Sequence, residues 1–301
     1  MAADHLEALD PTFWGLVDQD APLEHVATGF AQTEGPIWFA GDPGYLVFSD
    51  IARSRSIRWR MLPEGPEVTT YRTPTGNANG LTRDRAGLLL RCEHSGRRVT
   101  RIEHDGRETT ITDRYEGKRL NSPNDAVVHS SGAIYFTDPP YGLPNFTEGK
   151  ELDFHGVFRV GTDGAMSVIA DDFDRPNGLC FSPDERVLYV ADTSRQHVVA
   201  FDVAPDGGTS NQRVFADMTS SDPGRPDGMK VDRQGNLYVS GGGGVRVVTP
   251  EGTKLGRIKA PEVVRNLGWG DNDWQTLYMT AGIGLYRVRT KAQGIPVGTA
   301  N

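Results

Sequence analysis

Six places along the chain share one surrounding phrase and differ in the polar residue near its start. "RPNGLCFSPDERVLYVAD" (175–192) and "RPDGMKVDRQGNLYVS" (225–240) put Asn177 and Asp227 in the same slot. "SPNDAVVHSSGAIYFTD" (122–138) puts Asn124 there, and "NANGLTRDRAGLLLRCE" (77–93) puts Asn79 there. "TEGPIWFAGDPGYLVFSD" (33–50) fits with two extra residues and holds Glu34; "RNLGWGDNDWQTLYMTA" (265–281) fits loosely, with its slot at about Arg265. Most of these side chains are oxygen donors and two are carboxylates. Such oxygens gathered at one point suit a hard cation such as Ca²⁺, which takes about 6–8 oxygen ligands. They do not suit structural zinc, which prefers thiolate and imidazole in a tetrahedron. Asn and Asp are also good turn residues, which leaves a purely structural reading open. A purely structural slot, however, would hold similar residues in every repeat.

The slots converge only if the repeats stand around an axis. Their spacings are 45, 45, 53, 50 and about 38 residues. Each unit reads as a polar loop, a short strand, a turn and an apolar strand such as "AIYFTD" or "VLYVAD". A second strand pair usually follows around an Asp-Gly or Glu-Gly turn, as in "EHDGRETT" (103–110), "GTDGAMSV" (161–168) and "APDGGTSN" (204–211). Four strands per roughly 45 residues is the signature of a propeller blade. The expected fold is therefore all-β: a six-bladed β-propeller of four-stranded antiparallel blades around a central metal-binding channel, in one domain over 1–301. The segment near "LEHVATGF" (23–30) is expected to add an outer strand to the last blade and close the ring. Within the repeat, Gly178 and Gly228 are expected to serve turns, and Tyr189 and Tyr238 to pack between blades.

Composition narrows the partners. The formal net charge is −8, so the chain gains little from counterion release and nucleic acid is not an expected partner. No apolar run approaches the ~18 residues of a membrane span. The first twenty residues show no secretory signal, and the expected location is cytoplasmic. Two cysteines, Cys92 and Cys180, allow at most one bridge. No G-x-S-x-G elbow and no G-x-x-x-x-G-K-[ST] loop occurs, which disfavours serine catalysis and NTP hydrolysis. His94 follows the inner strands of the second unit, where it can hold a substrate hydroxyl or relay a proton. Tyr141 opens the longest interruption between inner and outer strands, "DPPYGLPNFTEGKELDFHG", either a lid or a surface excursion.

The same residues carry a family resemblance. "TEGPIW", "NSPNDAVV" followed by "IYFTDPPYG", "RPNGLCFS" and "RPDGMKVD" resemble the motifs of the SMP-30/gluconolactonase family, in order and at blade spacing, from about Phe13 to Leu285. "CEHSGRRVTRIE" (92–103) resembles the bacterial gluconolactonase branch in particular. The resemblance implies a propeller with one divalent cation in its channel, calcium first, with Mg²⁺, Mn²⁺ or Zn²⁺ as alternatives. It implies Glu34, Asn177 and Asp227 as metal ligands and Asn124 as a fourth position touching the metal or the substrate. It also implies hydrolysis of lactones, typically sugar lactones, as small-molecule partners of a monomer or simple homo-oligomer. Asp227 is then the catalytic base, with His94 as the alternative, and Asn124, His94, Asn79 and Tyr141 are the substrate contacts. One departure stands out: animal members carry Arg where this chain has Ser122, so their substrate does not transfer. Another ester or phosphorus-ester hydrolase on this scaffold, and a non-enzymatic interaction platform with a structural cation, are the rival readings.

Overall fold

The computed structural model describes residues 3–298. Six antiparallel blade sheets follow one another along the described residues, with a two-stranded ribbon of Arg114–Tyr115 and Lys118–Arg119 between the second and third. Their first strands are Thr33–Phe39, Ala78–Arg83, Ala126–Val128, Pro176–Phe181, Met229–Val231 and Val264–Gly270. These strands lie against one another in a closed cycle, the sixth beside the first, and so line a central channel. This is the six-bladed propeller expected from the repeat.

The sequence explains the layering. First and second strands such as Pro176–Phe181 and Val187–Asp192 are buried along almost their whole length, because neighbouring blades cover both faces. They therefore read as continuous apolar runs rather than as alternating ones. The fourth strand of the same blade, Thr209–Asp217, lies at the rim and is mostly exposed. Third and fourth strands join at the Asp-Gly and Glu-Gly turns; Gly164 and Gly207 adopt φ of +80° and +81°, a region open to Gly at little steric cost.

The core lies between blades. Tyr189 packs in a cluster with Met229, Val231 and Leu237 of the next blade, and Tyr238 meets Trp269 of the sixth blade edge-on at 5.1 Å. Both tyrosines thus fill the expected inter-blade role. Cys92 and Cys180 are buried and unbridged.

Ring closure uses the beginning of the chain. Leu23–Ala27 pairs with Gly284–Arg289 as the outer strand of the sixth blade, Leu23 opposite Val288. A second closure was not legible in the repeat: Leu6–Ala8 pairs with Lys254–Ile258, giving the fifth blade a fifth strand. Among the described residues no helix is long and apolar enough to cross a membrane.

Candidate active site

Five of the six slot residues, Glu34 excepted, are held through their backbone carbonyls by the blade that precedes each of them. The Gly80 N–H donates to the Asn124 carbonyl at 2.8 Å, Gly178 N–H to the Asp227 carbonyl at 3.2 Å, and Gly228 N–H to the Arg265 carbonyl at 2.8 Å. Second-strand hydroxyls add to this: Ser49 Oγ donates to Asn79 O and Thr137 Oγ1 to Asn177 O, each at 2.7 Å, and Ser240 Oγ to Arg265 O at 2.8 Å. With their carbonyls fixed outward, the slot side chains are left to face the channel. The shared pattern also identifies the sixth slot as Arg265.

A buried Asp at the end of the second strand pins the loop leading into three of the slots. Asp50 accepts from the N–H groups of Ala31 and Gln32, at 2.9 and 3.2 Å. Asp138 accepts from Asn121 and Ser122, both at 2.7 Å, and Asp192 from Asp174 and Arg175, at 2.9 and 3.2 Å. In each case the donors stand three and two residues before the slot. The final Asp of "LVFSD", "IYFTD" and "LYVAD" is thus a loop clamp, a signal present in the repeat but not interpreted from it.

Gly178 and Gly228 are not turn residues. Both lie where the first strands of adjacent blades nearly touch: a Cβ on Gly178 would stand 2.2 Å from the Asp227 carbonyl oxygen, and one on Gly228 2.1 Å from Asn266 Oδ1. The repeated glycine serves close approach between blades, which the strand phrase alone does not distinguish from a turn.

Glu34, Asn79, His94, Asn124, Tyr141, Asn177, Asp227 and Arg265 all line one cavity of about 800 Å³ at the channel mouth. Every site residue expected from the sequence is therefore brought to one place. Glu34, Asn124 and Asn177 are buried, at 2, 3 and 3 % exposure, while Asp227 keeps an edge open to the cavity. Glu34 Oε2 accepts from the Gly35 N–H at 2.8 Å. Asn177 Nδ2 donates to Thr193 Oγ1 at 3.0 Å, and that hydroxyl is committed as a donor to Pro226 O at 2.7 Å. Thr193 can therefore only accept from Asn177, which turns the amide oxygen of Asn177 toward the site.

The two carboxylates stand in an unfavourable field. Burial pushes Glu34 upward, offset only in part by the Gly35 N–H and the Asn266 amide. Burial, and then the charge of Glu34, push Asp227 well above the usual carboxylate range, while the Arg265 charge acts the other way. Beneath them Asp125 and Asn266, from opposite blades, approach across the axis at 3.4 Å. Asp125 is itself pushed up by burial, with Lys230 opposing. Thr193, Asp125 and Asn266 were missed in the sequence, because none occupies a slot.

His94 Nε2 lies 3.2 Å from Asn79 Nδ2. An amide N–H₂ only donates, so Nε2 accepts and its lone pair is engaged. Burial pushes the imidazole down to about 4. His94 is thus neutral near pH 7 and a weak candidate for the base.

The loop over 139–155 reaches the cavity through Tyr141, Gly142 and Phe146. Ser122 holds it: its Oγ donates to Pro139 O at 2.6 Å and accepts from the Gly142 N–H at 2.8 Å. Ser122 is fully buried. A small hydroxyl here fixes a loop at a position where a long cation would have no room. Arg175 lies over Phe146 at 4.8 Å and over Tyr141 at 5.9 Å. The Tyr141 hydroxyl is buried near Thr193 and Asn177 without closing a hydrogen bond, and burial pushes it up to about 12.

Residues 32–283 match the family described as SMP-30/Gluconolactonase/LRE-like region. The chain is 33 % identical to a gluconolactonase of Zymomonas mobilis, over 94 % of this chain and 85 % of that protein. It is 29 % identical to a pentonolactonase of Haloferax volcanii, over 83 % and 81 %. Among solved structures, a gluconolactonase of Xanthomonas campestris superposes with a TM-score of 0.86 at 37 % identity, over 96 % of this chain and 95 % of that one.

Proposed function

The chain belongs to the SMP-30/gluconolactonase/LRE-like family, and on that premise we propose that it hydrolyses sugar lactones, aldonolactones such as gluconolactone, in the cavity that holds Glu34, Asn124, Asn177 and Asp227. The observation that carries the reading is a pair of carboxylates on one cavity, buried Glu34 and partly exposed Asp227: Glu34 is pushed up by burial and by the Asp125 charge, Asp227 by burial and by the Glu34 charge, and Arg265 is the one charge that opposes both.

That field is what a divalent cation relieves, and the donors fit a hard one. The donors that line the cavity are two carboxylates, Glu34 and Asp227, and the neutral amide oxygens of Asn124 and Asn177, an all-oxygen set. Glu34, Asn177 and Asp227 would hold the ion, with Asn124 as a fourth contact. When bound, it would supply Lewis-acid polarisation of the lactone carbonyl and acidify a water molecule.

The chain's own groups do the rest. Asp227, with an edge open to the cavity, accepts a proton from the attacking water. The water oxygen bonds to the acyl carbon, the ring C–O bond breaks, and the ring oxygen takes up the proton as a hydroxyl of the open-chain acid. Asn124, on the inner ring, positions the carbonyl by donating from its amide. Asn79, His94 and the Tyr141 hydroxyl present donors and acceptors to the hydroxyl groups of the sugar. The lining is mostly polar, which favours polyhydroxylated lactones of five or six ring atoms over long acyl chains.

The test is gluconolactone opening followed by proton release, before and after chelation and with added Ca²⁺, beside a phosphotriester and a long-chain acyl-homoserine lactone. Metal-restored turnover of the sugar lactone is the expected result. Faster turnover of the phosphotriester or the acyl lactone would overturn the substrate assignment. Full activity in protein shown to be metal-free would overturn the cation.

A further inference from the structure

Arg265 is the one slot residue whose chemistry is opposite to that of the ring it belongs to. Its backbone carbonyl is fixed by Gly228 N–H and Ser240 Oγ, much as those of Asn79, Asn124, Asn177 and Asp227 are fixed by their preceding blades. Its side chain lines the same cavity. Its charge is felt by both Glu34 and Asp227, yet neither takes it as a hydrogen-bonding partner. Its Nε is shut off from solvent with no hydrogen-bond acceptor among the described residues. The other arginine that lines the cavity, Arg225, is exposed and keeps its hydration, and nearby Arg175 stacks over Phe146. An unspent, partly desolvated guanidinium is costly to keep, because it forgoes bonds it would make in water. A counter-ion meant only to quiet the two carboxylates would close onto them.

The charge balance shows what the fork is free for. Glu34 and Asp227 together match a divalent cation, and Asp125 has Lys230 opposing it from below. Of the other charges on the cavity, Asp222 is paired with Arg257 and Arg225 is exposed to solvent, so Arg265 is the surplus positive charge withdrawn from water at the site. Ring opening converts a neutral lactone carbonyl, through an oxyanion, into a carboxylate, and so creates one negative charge in the cavity. The planar fork of arginine matches a carboxylate in bidentate geometry.

Building on the lactonase reading, we propose that Arg265 is a catalytic residue that binds the acyl oxygen of the substrate, weakly as the neutral carbonyl and strongly as the oxyanion and product carboxylate. An interaction that strengthens as the charge develops lowers the barrier rather than merely tightening substrate binding. It also implies that the aldonate product binds more firmly than its uncharged relatives, and that accumulated product inhibits turnover by occupying the site.

The experiment compares wild type, Arg265→Lys and Arg265→Gln, each Ca²⁺-loaded and checked for folding by its melting transition. Measured are kcat and KM on gluconolactone, the Kd of gluconate by calorimetry, the Kd of Ca²⁺, and the rate on an aldaric monolactone that carries a second carboxylate. For Arg265→Gln the expected results are a fall in kcat of about 10²–10³ and gluconate binding weakened by at least about tenfold. Ca²⁺ binding should be as tight or tighter, because a repelling charge has gone. Arg265→Lys should fall between, retaining charge without the fork. Unchanged gluconate affinity and kcat in Arg265→Gln would overturn the proposal. So would a loss confined to the aldaric monolactone, since Arg265 would then read a second anion rather than the reacting group. Weaker Ca²⁺ binding with intact gluconate affinity in metal-saturated protein would also overturn it, by placing Arg265 in support of the metal. Wild-type protein inactive on every lactone would instead sink the lactonase reading itself, and this role with it.

Discussion

Each ring slot and the residue after it are neighbours in sequence with opposite duties. Glu34, Asn79, Asn177 and Asp227 face the cavity, and each is followed by a glycine packed against the next blade. In the third and sixth blades the follower is Asp125 or Asn266 instead. Those blades face one another across the axis, and the two side chains meet beneath the cavity floor. The neighbouring glycines make the room: a Cβ on Gly80 would stand 2.4 Å from Asp125 Oδ1, and one on Gly228 2.1 Å from Asn266 Oδ1. On the proposed function, the slot ring varies because its members have different roles. The follower ring is restricted because the strands around the axis leave no volume. Substitution should therefore separate activity from stability between adjacent residues.

The largest effect is expected at the slots. Asp227→Asn is nearly isosteric and copies the residue already present at Asn177, so the blade should tolerate it. Loss of the base should lower kcat by about 10²–10⁴ at saturating metal, with the melting temperature in excess metal close to wild type. A kcat near wild type would remove Asp227 as the base. The adjacent ring should respond the other way. Gly178→Ala, one residue past Asn177, drives a methyl into the Asp227 carbonyl and should cost about 1–3 kcal/mol of stability, read by chemical denaturation. Stability equal to wild type would show that the two rings are not distinct.

A smaller effect is expected where the slot is only oriented. Thr193→Val removes the acceptor that turns the Asn177 amide, worth about 1 kcal/mol, or several-fold in metal affinity, with little change in melting without metal. Unchanged Ca²⁺ affinity would mean that Asn177 needs no such support. A last effect, confined to acid pH, concerns His94. In the unfolded chain its imidazole takes a proton near pH 6.5, whereas in the folded protein burial holds it down to about 4. The unfolded state thus binds more protons between these values, so stability should fall as pH drops from about 6.5 toward 4 and be insensitive to this group above that window. His94→Gln should flatten that part of the stability profile. If the slope is the same in both proteins, His94 is not the buried neutral group described.

Much of this was legible before any coordinates. The repeat identifies the blades, their number, the Asp-Gly turns and the outer strand at 23–30, because short-range pattern dictates strands and turns and the repetition dictates a ring. It also marks Glu34, Asn124, Asn177 and Asp227 as the positions where the frame changes its chemistry, and all of them reach one cavity. The fifth strand at Leu6–Ala8 left no trace in the repeat because it stands outside it, and its partner lies about 250 residues away. The strand phrase was equally silent on why Gly178 is glycine, since the crowding atom belongs to the next blade.

Residue identity and spacing thus account for the architecture and for which side chains converge. They do not specify how those side chains are oriented or whether they are paired. That the Asn177 oxygen faces the site depends on Thr193 and Pro226, from two different blades. That Ser122 secures the loop bearing Tyr141 depends on a backbone path from Pro139 to Gly142 folded back over it. That Arg265 stays unpaired beside two carboxylates depends on where three blades place their strands around the axis. Each is a contact between segments far apart in the chain, with an energy set by distance and burial, and neither quantity exists until the ring is closed.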